Sequence, residues 1–189
     1  MNPAFLEKLL SQQQQQPGPP GVAISNVSNN TQVRWSKVLV IPAGLGKQTP
    51  RFKDLGAVVF ENVDKNYPED SVDEFVTLVH ALNPDLIVAG SRGTALVTEA
   101  FKHLDKKHYR VLLFGPTKLR AFFTEKNNNN GTVIVHGVHD QNERIDNVRS
   151  LVNTHRKTRL VEVTKQGHAL DIQTPHLRNV VKYALVLAP

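Results

Sequence analysis

Residues 85–96 read Asp-Leu-Ile-Val-Ala-Gly-Ser-Arg-Gly-Thr-Ala-Leu. An apolar run typical of a strand stops at the Gly-Ser-Arg-Gly segment, and a helical pattern follows it. We therefore predict a strand, a sharp turn and a helix, with Ser91 at the apex of the turn. Ala89 and Gly93 flank the serine two positions away on each side, where a bulky side chain would collide with the neighbouring strand or helix. Such a turn strains the serine and exposes its hydroxyl at the amino end of a helix, so Ser91 is a candidate nucleophile.

From Lys37 onward, apolar segments rich in β-branched residues alternate with helical patterns. The predicted strands are 38–42, 57–60, 86–89, 110–114, 132–136 and 159–163. The predicted helices are 71–82, 93–104, 118–124, 143–155 and 175–187, with a short one over 52–54. Ser71 with Glu74 forms a predicted capping box, and Thr174 a predicted N-cap. The alternation predicts an α/β fold, in which a doubly wound, mostly parallel sheet of about six strands is the middle of three layers.

Two later segments supply the partners that a serine nucleophile needs. Residues 132–140 read as a buried strand that ends at Gly137, and Asp140 follows three residues later. Residues 159–170 read as another strand, followed by Gly167 and His168. A serine hydroxyl needs a base within hydrogen-bond reach, and His168 is the candidate. Asp140 is the candidate acid that would hold the imidazole in the right tautomer.

The three motifs, in the chain order Ser91, Asp140 and His168, resemble the α/β-hydrolase superfamily. The resemblance runs from about Val38 to the end of the chain. It is nearest to the small, lidless serine esterases and to dienelactone-hydrolase-like proteins. It implies a minimal core of that fold. Gly115 to Gly131, where larger hydrolases insert a lid, has room only for a short helix and an asparagine loop, so we expect a shallow, open site.

The resemblance also implies where an oxyanion hole would lie. One donor would be the backbone N–H of Arg92, the residue after the nucleophile. The other would come from the loop 41–46, with Gly44 as the first choice and Leu45 as the second. Arg92 and Lys47 would give the rim of the site a positive character, which would favour small or anionic acyl substrates.

Each of the three residues also has a structural interpretation. Ser91 could be a turn residue that caps the following helix, as serine often does at such joints. Asp140 could be the N-cap of the helix near Glu143, in which case Asp171 would be a weaker substitute as the acid. Seven other histidines are present, so His168 stands out only by its position after the last strand and beside Gly167.

The composition narrows the class of protein. The chain has 189 residues, of which 40% are hydrophobic, enough for one domain with a sizeable core. The absence of cysteine excludes disulfides, a cysteine nucleophile and thiolate metal sites. The net charge of +6 lies in segments without interleaved aromatic residues, so we expect solvated surfaces and no nucleic-acid partner. No apolar stretch is long enough to cross a bilayer and the start lacks the shape of a secretory signal, so we expect a cytoplasmic protein.

Residues 1–32 differ from the rest of the chain, because they are rich in glutamine, proline and asparagine. We predict a low-complexity, flexible segment there and an α/β-hydrolase-like domain over 33–189. Such a composition cannot bury enough apolar surface to offset the entropy of ordering. A chain that starts near Thr31 is therefore expected to melt at nearly the same temperature as the full chain. A large drop in melting temperature would show that the segment packs on the core.

Motifs for other chemistry are incomplete. The run Gly44-Leu45-Gly46-Lys47 follows a strand, but the earlier glycine and the following Ser or Thr of a phosphate loop are missing, and no Gly-x-Gly-x-x-Gly opens a helix. His136 and His139 lie three apart on a strand and its loop, where they would point in different directions, without an acidic cluster. We expect no cofactor and no metal.

The leading hypothesis is a serine hydrolase that cleaves a carboxylic ester or related acyl bond of a small molecule through an acyl-enzyme. One alternative is a non-catalytic α/β-hydrolase-like protein that binds a partner. Another is a flavodoxin-like or nucleotide-binding domain with chance motif matches. Sheet order is expected to bear on the last one, because in the hydrolase fold the strand near Ala57 lies at the edge, outside the strand that begins at Val38. The oligomeric state is left open by the sequence.

Overall fold

A parallel sheet forms the middle of the molecule. The computed structural model describes residues 32–61, 63–64, 66–105, 109–124 and 131–186. The strands are β1 Val38–Val40, β2 Val58–Val59, β3 Leu86–Gly90, β4 Arg110–Phe114, β5 Thr132–Gly137 and β6 Thr158–Val163. They pair in the order β2-β1-β3-β4-β5-β6, and every pairing is parallel. The predicted sheet of about six strands is confirmed.

Helices connect the strands and cover both faces of the sheet. They are α1 Gln48–Asp54, α2 Val72–Leu82, α3 Gly93–Ala100, α4 Leu119–Thr124, α5 Ile145–Asn153 and α6 Thr174–Val186. Short 3-10 turns occupy Trp35–Lys37 and Pro68–Ser71. Each predicted helix is found within a few residues of its expected position, and the short helix expected at Phe52 begins four residues earlier, at Gln48. None of the helices in the described residues is long and apolar enough to cross a membrane.

The side chains of each strand alternate between two apolar layers, as a doubly wound sheet requires. One layer lies under α2, α3, α4 and α5, which contribute Phe75, Leu96, Phe122 and Val148, all with no exposed surface. The other lies under α1 and α6, which contribute Phe52 and Leu177, also fully buried. Because the helices close both faces, the loops at the strand ends are left as the place where a site can open.

The order of the strands agrees with the hydrolase expectation, since β2 lies at the edge outside β1. It excludes a dinucleotide-binding sheet of the 3-2-1-4-5-6 type. Flavodoxin-like folds share the order 2-1-3-4-5, so the order alone does not separate them from hydrolases. That separation depends on the turn after β3, where Ser91 lies.

Two predicted helix caps are wrong. Ser71 precedes α2, but its side chain makes no capping bond there. Its hydroxyl instead accepts a hydrogen bond from the Asp64 N–H at 3.2 Å, because Ser71 closes a 3-10 turn and faces the preceding loop. Thr174 is the first residue of α6 rather than its N-cap. The predicted flexible segment, 1–32, lies outside the described residues except for Gln32, so it stays a prediction.

Candidate active site

Ser91 lies at a strained turn between the end of β3 and the start of α3. Its φ is 45°, in the left-handed region that residues with a Cβ rarely adopt. The conformation is held on both sides of the serine. The Ser91 N–H donates to the Phe114 carbonyl at 3.0 Å, and the Ser91 carbonyl accepts from the Thr94 N–H at 3.2 Å. The turn therefore fixes where the hydroxyl points.

The close packing behind this turn explains the small residues that flank the serine. A Cβ placed on Gly93 would lie 2.9 Å from the Ala43 carbonyl and 3.1 Å from Cγ2 of Ile41. Both neighbours belong to the chain that leaves β1, so neither can move away easily. Ala89, on the other side of the serine, has no exposed surface. A larger side chain at Gly93 would push α3 away from the sheet and displace Ser91.

His168 lies in the loop after β6, directly beside Ser91. Its Nε2 is 2.7 Å from the Ser91 Oγ. Its Nδ1 is 2.9 Å from Oδ2 of Asp140. A carboxylate only accepts, so Nδ1 carries the proton and Nε2 is left to accept from the serine hydroxyl. This tautomer can take the proton of Ser91, and the structure thus brings together all three side chains that the sequence singled out.

Asp140 follows β5 and is buried. Its two oxygens have different partners. Oδ1 accepts from the backbone N–H groups of Asn142, at 2.8 Å, and of Glu143, at 3.4 Å, which closes a short turn. Oδ2 faces His168. Asp140 is not the N-cap of the following helix, which begins at Ile145 with Arg144 as its N-cap. Its carboxylate closes the preceding turn and contacts His168.

Glycines at two strand ends make room for the loops that carry Asp140 and His168. Gly115 follows β4 with φ +47°, and a Cβ there would lie 3.1 Å from the His168 carbonyl. At Gly137, the last residue of β5, a Cβ would lie 2.5 Å from the Gln166 carbonyl and still closer to that of Gly167. Neither position accepts a side chain unless the histidine loop moves. In the sequence Gly137 marks only a strand end, and no pattern indicates this role for Gly115.

The proposed oxyanion residues lie on the other side of Ser91. Gly44 has φ +81°, and a Cβ there would lie 2.5 Å from Cβ of Ser91 and 3.1 Å from the backbone nitrogen of Arg92. The backbones of Gly44 and Arg92 therefore converge on the serine. The N–H of Leu45 is directed instead to the Pro42 carbonyl, at 3.1 Å. The Leu45 N–H is thus already engaged within the loop, and the role of Gly44 as an oxyanion donor stays a prediction.

The histidine loop is tied to α1 by contacts that no sequence pattern indicates. Gln48 donates to the Leu170 carbonyl at 3.0 Å in a buried contact. Arg51 donates to Oδ1 of Asp171 at 2.6 Å and to the Ile172 carbonyl at 2.8 Å. The hydrogen bond from Arg51 lowers the pKa of the Asp171 carboxyl. Asp171, the substitute considered for the acid, therefore anchors the loop, and the carboxylate that contacts His168 is that of Asp140.

The two cations expected at the rim are exposed, and each has a neighbour. Lys47 Nζ lies 3.5 Å from Oδ2 of Asp171. The Arg92 guanidinium donates to Oδ1 of Asn66 at 3.3 Å. Both contacts are exposed to water, where such pairs contribute little to stability. A positive character of the rim around Ser91 stays a prediction.

The two histidines considered for a metal do not act together. His136 is buried, and His139 is exposed. Across the part of the chain that the structure describes, no group of three or more His, Cys, Asp or Glu side chains could hold a metal ion.

The strand order, the strained serine turn and the Ser91–His168–Asp140 contacts define the α/β-hydrolase fold, and comparison with solved structures supports this. A lidless α/β serine hydrolase from Xanthomonas campestris matches with a TM-score of 0.59 at 14% identity, over 83% of this chain and 84% of that one. A predicted CIB-like hydrolase from Thermoplasma acidophilum matches with a TM-score of 0.55 at 14% identity, over 82% of this chain and 87% of that one. Esterase 2 of Thermogutta terrifontis, phosphorylated by paraoxon, matches with a TM-score of 0.50 at 15% identity, over 78% of this chain and 80% of that one.

By sequence, neither a family model nor a curated protein matches the chain. At these identities the structural likeness shows the fold. The resemblance expected from the three motifs is confirmed at that level, and the flavodoxin-like alternative is not supported.

Proposed function

We propose that this protein is a serine hydrolase that cleaves a carboxylic ester or related acyl bond of a small molecule through an acyl-enzyme. The observation that carries the proposal is the continuous contact from Ser91 Oγ to His168 Nε2, 2.7 Å, and from His168 Nδ1 to Asp140 Oδ2, 2.9 Å. It occurs at a serine whose φ of 45° is the strained conformation typical of a nucleophile turn. A capping serine would instead have its hydroxyl on the backbone of the helix, and that of Ser91 is on an imidazole.

In the first half of the reaction, Ser91 Oγ attacks the acyl carbon while its proton passes to His168 Nε2. The charge that develops on the acyl oxygen would be met by the N–H groups of Arg92 and Gly44. His168 then gives its proton to the leaving alcohol as the bond between the acyl carbon and the alcohol oxygen breaks. Asp140 keeps Nδ1 protonated throughout and stabilises the imidazolium.

In the second half, water takes the place of the alcohol. His168 removes a proton from the water as its oxygen attacks the acyl-enzyme, and the proton then returns to Ser91 Oγ when the acid leaves. The chemistry requires only side chains and backbone groups of the chain itself. The short interval after β4 and the likeness to a lidless hydrolase favour small substrates that reach an open site. A cytoplasmic location stays a prediction from the sequence.

The proposal is tested with an activated short-chain ester and with a covalent probe. The purified protein is expected to release p-nitrophenol from p-nitrophenyl acetate with saturation kinetics. A fluorophosphonate is expected to stop this turnover and to add one phosphonyl group to the peptide that contains Ser91, as read by mass spectrometry. Heat-unfolded protein is the control, since an unfolded chain has no activated serine. If the folded protein neither turns over the ester nor is labelled at Ser91, the proposal is wrong.

A further inference from the structure

His136 is the next-to-last residue of β5, and its imidazole has no exposed surface. The Nε2 atom lies 2.8 Å from the Glu143 carbonyl oxygen. A carbonyl only accepts, so Nε2 carries the proton in this contact. The other ring nitrogen, Nδ1, is buried and has no hydrogen-bond partner among the described residues. An apolar side chain would fill the same place without an unpaired polar atom, so packing alone does not account for a histidine here.

The bond from His136 ends on the residue that also holds the carboxylate of Asp140. Glu143 is held at both its backbone groups. Its carbonyl accepts from His136, and its N–H donates to Oδ1 of Asp140 at 3.4 Å, next to the stronger bond from Asn142 at 2.8 Å. With Oδ1 held by this turn, Oδ2 is directed at His168. One chain of contacts therefore runs from the buried imidazole of β5 to the base beside Ser91.

We propose that His136 is a positioning residue that fixes the Asp140 carboxylate through Glu143, an inference that rests on the hydrolase function proposed above. His136 does not compete with His168 for the carboxylate, because its Nε2 is 3.7 Å from Oδ2, beyond hydrogen-bond distance. Removing the Nε2–H donor leaves the Glu143 carbonyl unpaired and loosens the turn at its Glu143 end, where the bond to Oδ1 is already long, at 3.4 Å. The carboxylate can then rotate, and His168 loses the partner that fixes its tautomer.

A kinetic comparison of two variants tests this role. His136→Phe keeps a ring but removes the donor, whereas the amide of His136→Gln can still reach the Glu143 carbonyl. For p-nitrophenyl acetate we expect His136→Phe to lower kcat by about tenfold to a hundredfold, with KM within about twofold, because a small misplacement of catalytic groups has effects of that size. His136→Gln should recover most of the lost kcat. Equal kcat in the two variants and the wild type would overturn the inference.

A double-variant experiment separates positioning from general damage. In the background of Asp140→Asn, there is no carboxylate left to position. Adding His136→Phe should then lower kcat by less than about twofold, because groups that act as a unit are not additive. If His136→Phe lowers kcat by the same factor in both backgrounds, His136 acts elsewhere and the inference is wrong. Should His136→Phe fail to fold, His136→Met replaces it, because its flexible thioether chain fills irregular space without a strong donor.

A crystal structure of the donor-free variant tests the inference without any turnover, so that its failure can be told from failure of the hydrolase function. In that variant we expect Oδ2 of Asp140 to lie outside hydrogen-bond distance of His168 Nδ1. In His136→Gln the contact between these two atoms should be restored. A carboxylate that keeps both its turn bonds and its contact with His168 in the absence of the donor would overturn the inference, whether or not the wild type hydrolyses esters.

Discussion

Replacing Ser91 by alanine is expected to remove essentially all ester hydrolysis. The substitution deletes one hydroxyl, so there is no oxygen to form the acyl-enzyme and no proton for His168 Nε2 to take. In a well-studied triad the loss of the nucleophile lowers kcat by about six orders of magnitude, and a comparable loss here would reach the background rate. Initial rates with p-nitrophenyl acetate, compared with buffer alone, measure it. The fold should persist, because Ser91 holds its turn through backbone groups.

The matched control is Ser150→Ala, which makes the same chemical change on the exposed face of α5. It should leave both turnover and fluorophosphonate labelling at the wild-type level. Alanine keeps the Cβ, so the strain of the left-handed φ is nearly the same in both proteins. The melting temperature of Ser91→Ala should therefore stay within a few degrees of the wild type. Turnover at the wild-type rate in Ser91→Ala would mean that another group is the nucleophile.

The sequence predicts those parts of the site whose geometry is determined by residues that are neighbours in the chain. A strand that ends in small residues around a serine requires a tight turn, and a left-handed φ follows from that turn. Two further strands are followed by similar patterns: Gly137 lies three residues before Asp140, and Gly167 lies directly before His168. Parallel strands bring their carboxyl ends to one edge of the sheet, so three local patterns were enough to place three side chains together.

The supports of the site were not predictable, because they join residues that are far apart in the chain. Gln48 and Arg51 meet the histidine loop across more than a hundred residues, and no pattern near either end signals the contact. Gly115 is a glycine because the His168 carbonyl lies against it, which only the folded chain reveals. The predicted cap at Ser71 failed for a similar reason, since its hydroxyl has a better-placed partner in the preceding loop.

Asp140→Asn is also expected to lower ester hydrolysis by a large factor. The amide oxygen can keep the turn bonds from Asn142 and Glu143, so the NH₂ group is directed at His168 Nδ1. An NH₂ donates where the carboxylate accepted, so Nδ1 must become the acceptor and the proton moves to Nε2. A protonated Nε2 cannot take the proton of Ser91. The wrong tautomer lowers kcat about ten-thousand-fold in the best-studied triad, and we expect a loss of that order here.

The measurement is kcat and KM for p-nitrophenyl acetate at neutral pH, with Asp146→Asn as the control. Asp146 lies on the exposed first turn of α5, where it pairs with Arg149, so the same change from carboxylate to amide there should leave turnover nearly intact. Asp171→Asn decides between the two acids that the sequence offered. It weakens the anchor to Arg51 by removing the charge but leaves the carboxylate of Asp140 in place, so its loss of kcat should be far smaller than that of Asp140→Asn. If the loss at Asp171 were the larger one, the assignment of the acid would have to be reversed.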